Sequence, residues 1–225
     1  MRPTLLAVAH GTRSASGQRQ IRELVGAVAR RRPDLDVRLS YVDVQRPHVA
    51  EVVAGVRDAV VVPLLLSAGY HVRVDIAEAV AGTGIPVAGT LGPDEVLLQS
   101  LTRNLPRADA VVLAAAGSAD PGWRASIREL AARVGAQVAY ASGSDPKVAD
   151  VVADLRRGGA RRIAIAAYLL AEGLFYRTLH RAGADVVTPP LCLDPAVAGL
   201  VLRRYEQARD AAGMGAGEYS VAVGA

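Results

Sequence analysis

Cysteine, tryptophan and long apolar runs are all scarce in this sequence. Only one of the 225 residues is a cysteine, Cys192, so the chain cannot form an internal disulfide and lacks the clustered thiols of zinc or redox motifs. No apolar stretch reaches the ~18 to 20 residues that a membrane helix needs, and the first apolar run is too short for a secretory signal. We therefore expect a soluble, cytoplasmic protein with no membrane partner.

Aromatic residues and lysine are also rare, and this narrows the range of partners. Only 4% of the residues are aromatic, whereas proteins that bind single-stranded nucleic acid need aromatic platforms for base stacking. The formal net charge is +4, and arginine supplies nearly all the positive charge because Lys147 is the only lysine. The sequence contains no Walker A loop and no G-x-S-x-G elbow. An anionic small molecule is the expected partner, and nucleic acid is not.

Four short motifs return in the same order about a hundred residues further along the chain. "IREL" occurs at 21–24 and at 127–130, and "PHVAEVV" at 47–53 resembles "PKVADVV" at 146–152. Two further pairs align in the same way: "LLAVAHGT" with "VVLAAAGS", and "PLLLSAGYH" with "AYLLAEGLF". Such ordered repetition indicates a duplicated domain. We expect an N-terminal lobe at 1–105, a C-terminal lobe at 106–209 and a loose tail at 210–225.

Each half alternates short apolar runs with longer amphipathic stretches, which is typical of βα units on a parallel sheet. The predicted strands are 4–9, 36–43, 59–66 and 86–90 in the first half, and 110–115, 136–141, 162–169 and 184–188 in the second. We therefore predict an α/β fold of two tandem domains. Each should be a four-stranded parallel sheet of order 2-1-3-4 with helices on both faces.

Three chemistry-bearing residues fall at one edge of the first predicted sheet. His10 ends strand 1, His71 follows strand 3, and Asp43 ends strand 2. In a sheet of this order, strands 1 and 3 are neighbours at the switch point, where ligands bind beyond the carboxyl ends of the strands. Two imidazoles and a carboxylate can bind a first-row divalent metal or transfer protons. A lone histidine is more often a packed ring, but the shared placement favours a functional role for this pair.

The second half lacks both histidines at the matching positions. The alignment places Ala116 opposite His10 and Phe175 opposite His71. If the histidines served folding, the duplicated copy should need them too. We infer one reactive lobe and one apolar lobe that forms the other wall of a cleft. His48 and His180 fall on predicted helix faces and receive no role.

The stretches "AVAHGTRS", "YVDVQRP" and "VVPLLLSAGYHVRVDI" resemble the sirohydrochlorin chelatases, the class II enzymes that insert Fe²⁺ or Co²⁺ into sirohydrochlorin. The likeness extends from Leu5 to about Arg204. It implies two flavodoxin-like, chelatase-like lobes facing each other across a tetrapyrrole cleft, with His10 and His71 holding the incoming metal. The residue at Asp43 is more often glutamate in this family. The fused second lobe implies a chain that functions as a monomer.

The resemblance also implies how the reaction proceeds. Metal insertion removes two pyrrole protons, so the site needs a base as well as a metal ligand, and neutral imidazole can serve as both. The catalytic residues implied are His10, His71 and Asp43, and Fe²⁺ or Co²⁺ is a substrate, with no permanently bound cofactor. The expected contacts to the anionic sirohydrochlorin are Arg13, Arg46, Ser67, Gly69, Tyr70 and Arg73.

Two other functions stay open at this point. "LLAVAHGTRS" also resembles the Arg-His-Gly motif of histidine phosphatases, although Ala9 stands where their arginine would be and no late second histidine matches. A carrier that binds metal or tetrapyrrole without turnover would use the same groups. The sequence does not distinguish Fe²⁺ from Co²⁺, or sirohaem from cobalamin biosynthesis, as the destination of the product.

Overall fold

The structure is a computed structural model that describes residues 3–67 and 70–213, with the backbone alone for residues 70–73. Two parallel sheets form its centre, and helices follow the strands along the chain. The strands are β1 (Thr4–Ala9), β2 (Val37–Tyr41), β3 (Ala59–Pro63), β4 (Ala110–Ala115), β5 (Gln137–Tyr140), β6 (Ile163–Tyr168) and β7 (Val186–Val187). The strand order is β2-β1-β3 in the first sheet and β5-β4-β6-β7 in the second. The predicted α/β fold of two parallel-sheet lobes is confirmed.

Helices surround both sheets in the described part of the chain. They are α1 (Ala15–Arg31), α2 (Val49–Val53), α3 (Tyr70–Val80), α4 (Glu95–Asn104), α5 (Pro121–Arg133), α6 (Val148–Arg157), α7 (Leu174–His180) and α8 (Ala196–Ala211), with a 3-10 turn at Leu191–Leu193. The strands β1, β3 and β6 are buried at every position, which is why they read as nearly continuous apolar runs. None of the helices that the structure describes is long and apolar enough to cross a membrane.

The fourth strand predicted in the first half is reduced to a single bridge between Val87 and Val61. The Val61 amide donates to the Pro86 carbonyl at 2.9 Å, and the Ala88 amide donates to the Val61 carbonyl at 2.8 Å. In a parallel ladder, the next bonds on either side would need the amide hydrogens of Pro63 and Pro86. Proline has none, so the ladder stops after one bridge.

The last helix of each half packs against the other half. Helix α8 lies on α1 and β3 of the first lobe, while α4 packs against β6 of the second. The Tyr205 hydroxyl, fully buried in α8, donates to the Pro3 carbonyl at 2.6 Å beside the start of β1. The two halves are therefore joined by exchanged helices as well as by the chain between them.

Two reciprocal ion pairs fix the exchanged helices. Asp94 precedes α4 and contacts Arg203 of α8 at 2.7 Å, and Asp194 precedes α8 by two residues and pairs with Arg103 of α4. The same contact therefore occurs twice with the roles of the helices reversed. This arrangement relates the lobes by an approximate two-fold axis.

Candidate functional site

A cleft of about 440 Å³ lies between the lobes at the carboxyl ends of their central strands. This size falls within the usual range for small-molecule sites. The first lobe contributes the segments that follow β1 and β3, and the second contributes Ala116, Trp123 and the segment from Tyr168 to Tyr176. The sheet edge chosen from the sequence is therefore one wall of a cavity, and the duplicated lobe forms the other.

His10 lines this cleft directly after β1. Its side chain is exposed and forms no hydrogen bond with any residue that the structure describes. The next residue, Gly11, has a φ of +98°, and a Cβ there would lie 2.1 Å from the Asp43 carbonyl oxygen. Only glycine allows this close contact between the two loops. The loop after β1 thus presents an imidazole that is free to bind a ligand.

Asp43 is joined to His10 through the backbone, because its amide donates to the His10 carbonyl at 3.0 Å. Its carboxylate turns the other way and accepts from the Val44 amide at 2.7 Å, and Asp43 does not line the cleft. Gln45 does line it, and the Gln45 Oε1 atom accepts from the Thr12 amide at 3.0 Å. Gln45 therefore brings a polar group, its side-chain amide, from this loop to the cleft. This residue was not predicted from the sequence.

The second lobe repeats this turn without its chemical groups. Gly117 has a φ of +111°, and a Cβ there would lie 1.8 Å from the Ser142 carbonyl oxygen. The Ser142 amide donates to the Ala116 carbonyl at 2.9 Å, as Asp43 does to His10. Ala116 and Ser142 thus occupy the places of His10 and Asp43. The turn forms without an imidazole or a carboxylate, so the fold does not require either group.

The other expected site residues lie in different settings. Ser67 lines the cleft. Arg13 is exposed and pairs with no carboxylate among the described residues, whereas Arg46 forms an ion pair with Glu51. Gly69 lies outside the described residues, as do the side chains of Tyr70, His71 and Arg73.

The backbone of His71 occupies the second position of α3, and Phe175 occupies the second position of α7. This agrees with their alignment in the repeat. Phe175 lines the cleft and is 39% exposed. Within the part of the chain that is described, no three His, Cys, Asp or Glu side chains gather into a ready metal site.

Three further residues of the second lobe reach the cleft and were not singled out from the sequence. Trp123 stacks at a tilt on Tyr140, with ring centroids 5.8 Å apart. Tyr168 is buried, its hydroxyl has no partner among the described residues, and burial raises its pKa. Glu172 binds two side chains of α1 across the cleft. The internal repeat contains one indication that Glu172 has a special role. It is a charged residue within an apolar run, and it aligns with an alanine of the first half.

Comparison with known proteins places this two-lobed cleft in a family. The CbiX family model matches residues 4–108 and 110–208. The chain belongs to the CbiX family. A CbiX match on each side of residue 109 agrees with the repeated turns described above.

Solved structures share the fold at low sequence identity. SirB from Bacillus subtilis with Fe³⁺ has a TM-score of 0.75 and 21% identity, over 95% of this chain and 98% of SirB. The CbiX described as the terminal enzyme for siroheme biosynthesis in denitrifying bacteria has a TM-score of 0.67 and 21% identity, over 91% of this chain and 99% of that one.

A curated relative matches over a shorter stretch. The sirohydrochlorin cobaltochelatase of Methanococcoides burtonii is 29% identical over 79 residues, which are 33% of this chain and 60% of that protein. The matching segment thus spans less than two thirds of the relative's length.

Proposed function

We propose that this CbiX-family protein inserts a divalent metal, Fe²⁺ or Co²⁺, into sirohydrochlorin and releases two protons. The observation that supports this most is the setting of His10. Its imidazole has no partner among the described residues and stands at the strand switch point, facing a cleft whose opposite wall is largely apolar. A flat macrocycle can lie against such a wall while a metal approaches from the histidine side. The relatives named as sirohydrochlorin or siroheme enzymes support the choice of substrate.

In this proposal His10 and His71 hold the incoming metal, and one imidazole accepts a pyrrole proton. Imidazole nitrogen suits both Fe²⁺ and Co²⁺, so the choice of metal depends largely on supply. Asp43 is assigned the relay of that proton and not a ligand role, because its carboxylate accepts from the Val44 amide and does not line the cleft. Glu172 is an unsuitable base, since both of its oxygens already accept hydrogen bonds from α1.

The anionic edge of the macrocycle would meet the cationic and polar groups of the first lobe. Arg13 is the best placed of the described arginines, because it adjoins Thr12 and is free of carboxylate partners among the described residues. Arg46 must leave Glu51 before it can bind a substrate carboxylate. Ser67, Gly69, Tyr70 and Arg73 complete the proposed contacts.

The proposal extends to the setting of the enzyme. Both walls of the cleft come from one chain, so a monomer supplies the whole site. The protein would act in the cytoplasm without a permanent cofactor, and its product would enter sirohaem or cobalamin biosynthesis.

The test is metal insertion under anaerobic conditions. Catalytic amounts of enzyme are mixed with sirohydrochlorin and Fe²⁺ or Co²⁺, and the absorption change of the macrocycle is followed. We expect wild type to exceed the spontaneous rate and His10→Ala to lose about 10²- to 10⁴-fold of that enhancement. His180→Ala is the matched control, because His180 packs on Tyr176 in α7 and does not line the cleft.

Two outcomes would replace the proposal. Tight binding of sirohydrochlorin or metal without any rate above the spontaneous one would identify a carrier. Steady hydrolysis of p-nitrophenyl phosphate that disappears in His10→Ala would identify a phosphatase.

A further inference from the structure

One edge of the cleft is closed by a direct contact between the lobes. Glu172 of the second lobe accepts hydrogen bonds from the Ser16 hydroxyl at 2.6 Å and from the Gln20 side-chain amide at 2.8 Å. The Glu172 backbone amide donates to the Gln20 Oε1 atom at 2.8 Å. A Cβ on Gly17 would lie 2.0 Å from the Glu172 carbonyl oxygen. We call these four residues, Ser16, Gly17, Gln20 and Glu172, the clasp.

The duplicated half carries different residues at the matching helix positions. Helix α5 aligns with α1 through the repeated "IREL", so Gly122, Trp123 and Ser126 stand where Ser16, Gly17 and Gln20 stand. The Ser126 hydroxyl donates to the Gly122 carbonyl of its own helix at 3.1 Å. Trp123 lines the cleft and packs on Tyr140. Gly17, the smallest residue of the clasp, is thus matched by Trp123, the largest residue in the chain.

The contacts of the clasp edge are strong and depend on a glycine. The clasp edge is held by hydrogen bonds to an ionised carboxylate, which are stronger than those between neutral groups. It also requires glycine, because any side chain at residue 17 would push the Glu172 segment away. In the second lobe Trp123 stands in place of this glycine, and Gly122 has no side chain to donate as Ser16 does.

We propose that the clasp fixes the spacing of the two cleft walls, with Glu172 as its positioning residue. The identity of the ligand rests on the proposed function, whereas the clasp itself does not. A clasped edge keeps the apolar wall at a constant distance from His10, so the macrocycle meets the metal ligand in one orientation. Loosening the clasp should raise KM more than it lowers kcat, because the ligand groups at His10 are untouched.

The clasp is tested first on the protein without ligand, by amide hydrogen exchange. We expect Glu172→Ala and Gly17→Ala to speed exchange in the first turn of α1 and at residues 171–173 at least about tenfold, with β6 unchanged. Gly26→Ala is the matched control, since Gly26 lies in the same helix and a Cβ there meets only the flexible Arg30 side chain, at 3.3 Å. If Glu172→Ala does not fold, Glu172→Gln keeps the shape but weakens the charge-assisted bonds and should show a smaller increase. Unchanged exchange in folded clasp variants would overturn the proposal.

The positioning role is tested by the steady-state rate of metal insertion into sirohydrochlorin. We expect Glu172→Ala to raise KM at least about threefold with a smaller change in kcat, and the control Gly26→Ala to match wild type. A fall in kcat without a rise in KM would overturn the positioning role of Glu172. If wild type does not insert metal, the proposed function fails while the exchange experiment still judges the clasp.

Discussion

Removing the carboxylate of Asp94 should show how strongly the exchanged helices hold the lobes together. Asp94 caps α4 by accepting from the Val96 amide at 3.0 Å. Its two oxygens also accept from Arg203 at 2.7 and 2.8 Å and from Arg204 at 2.9 Å, both in α8. Only 11% of the Asp94 side chain is exposed. Asp94→Ala therefore removes a helix cap and leaves two arginines without their carboxylate.

The expected loss follows from these contacts. A cap of this kind contributes about 1 kcal/mol, and the loss of one partner of a largely buried ion pair adds about 2 kcal/mol. A decrease of about 3 kcal/mol in the free energy of unfolding corresponds to a fall of roughly 6 to 12 °C in Tm for a chain of this size. The control, Glu23→Ala, removes a surface pair in which Arg19 lies 3.9 Å away and both side chains are about 60% exposed. It should cost less than about 0.5 kcal/mol.

The Asp94 carboxylate also makes the free energy of unfolding depend on pH. Burial alone would raise the pKa of Asp94, but the hydrogen bond from the Val96 amide and the arginine contacts outweigh it, so the pKa lies below its usual value of 3.8. A lowered pKa in the folded state means that the contribution is complete above about pH 4 and is lost as pH falls further. Urea unfolding of wild type and Asp94→Ala at pH 7 and pH 3 measures this. The difference between the two proteins should shrink at pH 3, and a difference below about 1 kcal/mol at pH 7 would show that Asp94 does not hold the exchanged helices together.

Three further changes test other parts of the structure. The halves 1–105 and 106–225, expressed separately, should each lack cooperative unfolding, because the first loses the buried side chains of α8, worth of order 6 to 12 kcal/mol; a stable isolated first half would contradict the exchange of helices. Val44 has a φ of +65° where its counterpart Gly143 has +64°, and a Cβ on Gly143 meets nothing within 4 Å. Gly143→Val should therefore cost about 1 to 2 kcal/mol in urea unfolding through the backbone alone, while Val44→Gly should cost nothing or stabilise; equal effects would contradict this strain. Burial raises the pKa of Cys192 to about 12, so maleimide should modify it at pH 8 only after unfolding, and rapid labelling of the native chain would show that the thiol is not buried.

The sheets could be predicted from the sequence because parallel strands covered on both faces consist mostly of apolar residues. The run from Thr4 to Ala9 is buried at every position, as is β6, and neither could be mistaken for a surface element. Predicting that the fourth strand is shortened would have required knowing which amide hydrogens the ladder uses. Pro63 and Pro86 stand at those positions, but the register that reveals this emerges only with the structure.

The exchange of the terminal helices could not be predicted, because an apolar helix face does not specify which sheet it covers. Leu97 and Leu101 of α4, and Leu200 and Val201 of α8, would fit either lobe by pattern alone. The choice depends on the shape of the assembled core.

One part of the candidate site could be predicted from the sequence and another part could not. The position of His10 follows from strand order, since any residue that ends the first strand of such a sheet reaches the switch point. The orientation of Asp43 does not follow, because it depends on a turn in which its carboxylate accepts from the Val44 amide. Glu172 and its partners in α1 are more than 150 residues apart in sequence, and no local pattern links them.

The role of His10 in holding the incoming metal can be seen in a crystal soaked with Co²⁺. We expect an anomalous difference peak in the cleft at about 2.1 Å from an imidazole nitrogen of His10, which disappears in His10→Ala. A peak of comparable height that lies beyond about 4 Å from His10, or that is unchanged in the variant, would contradict it.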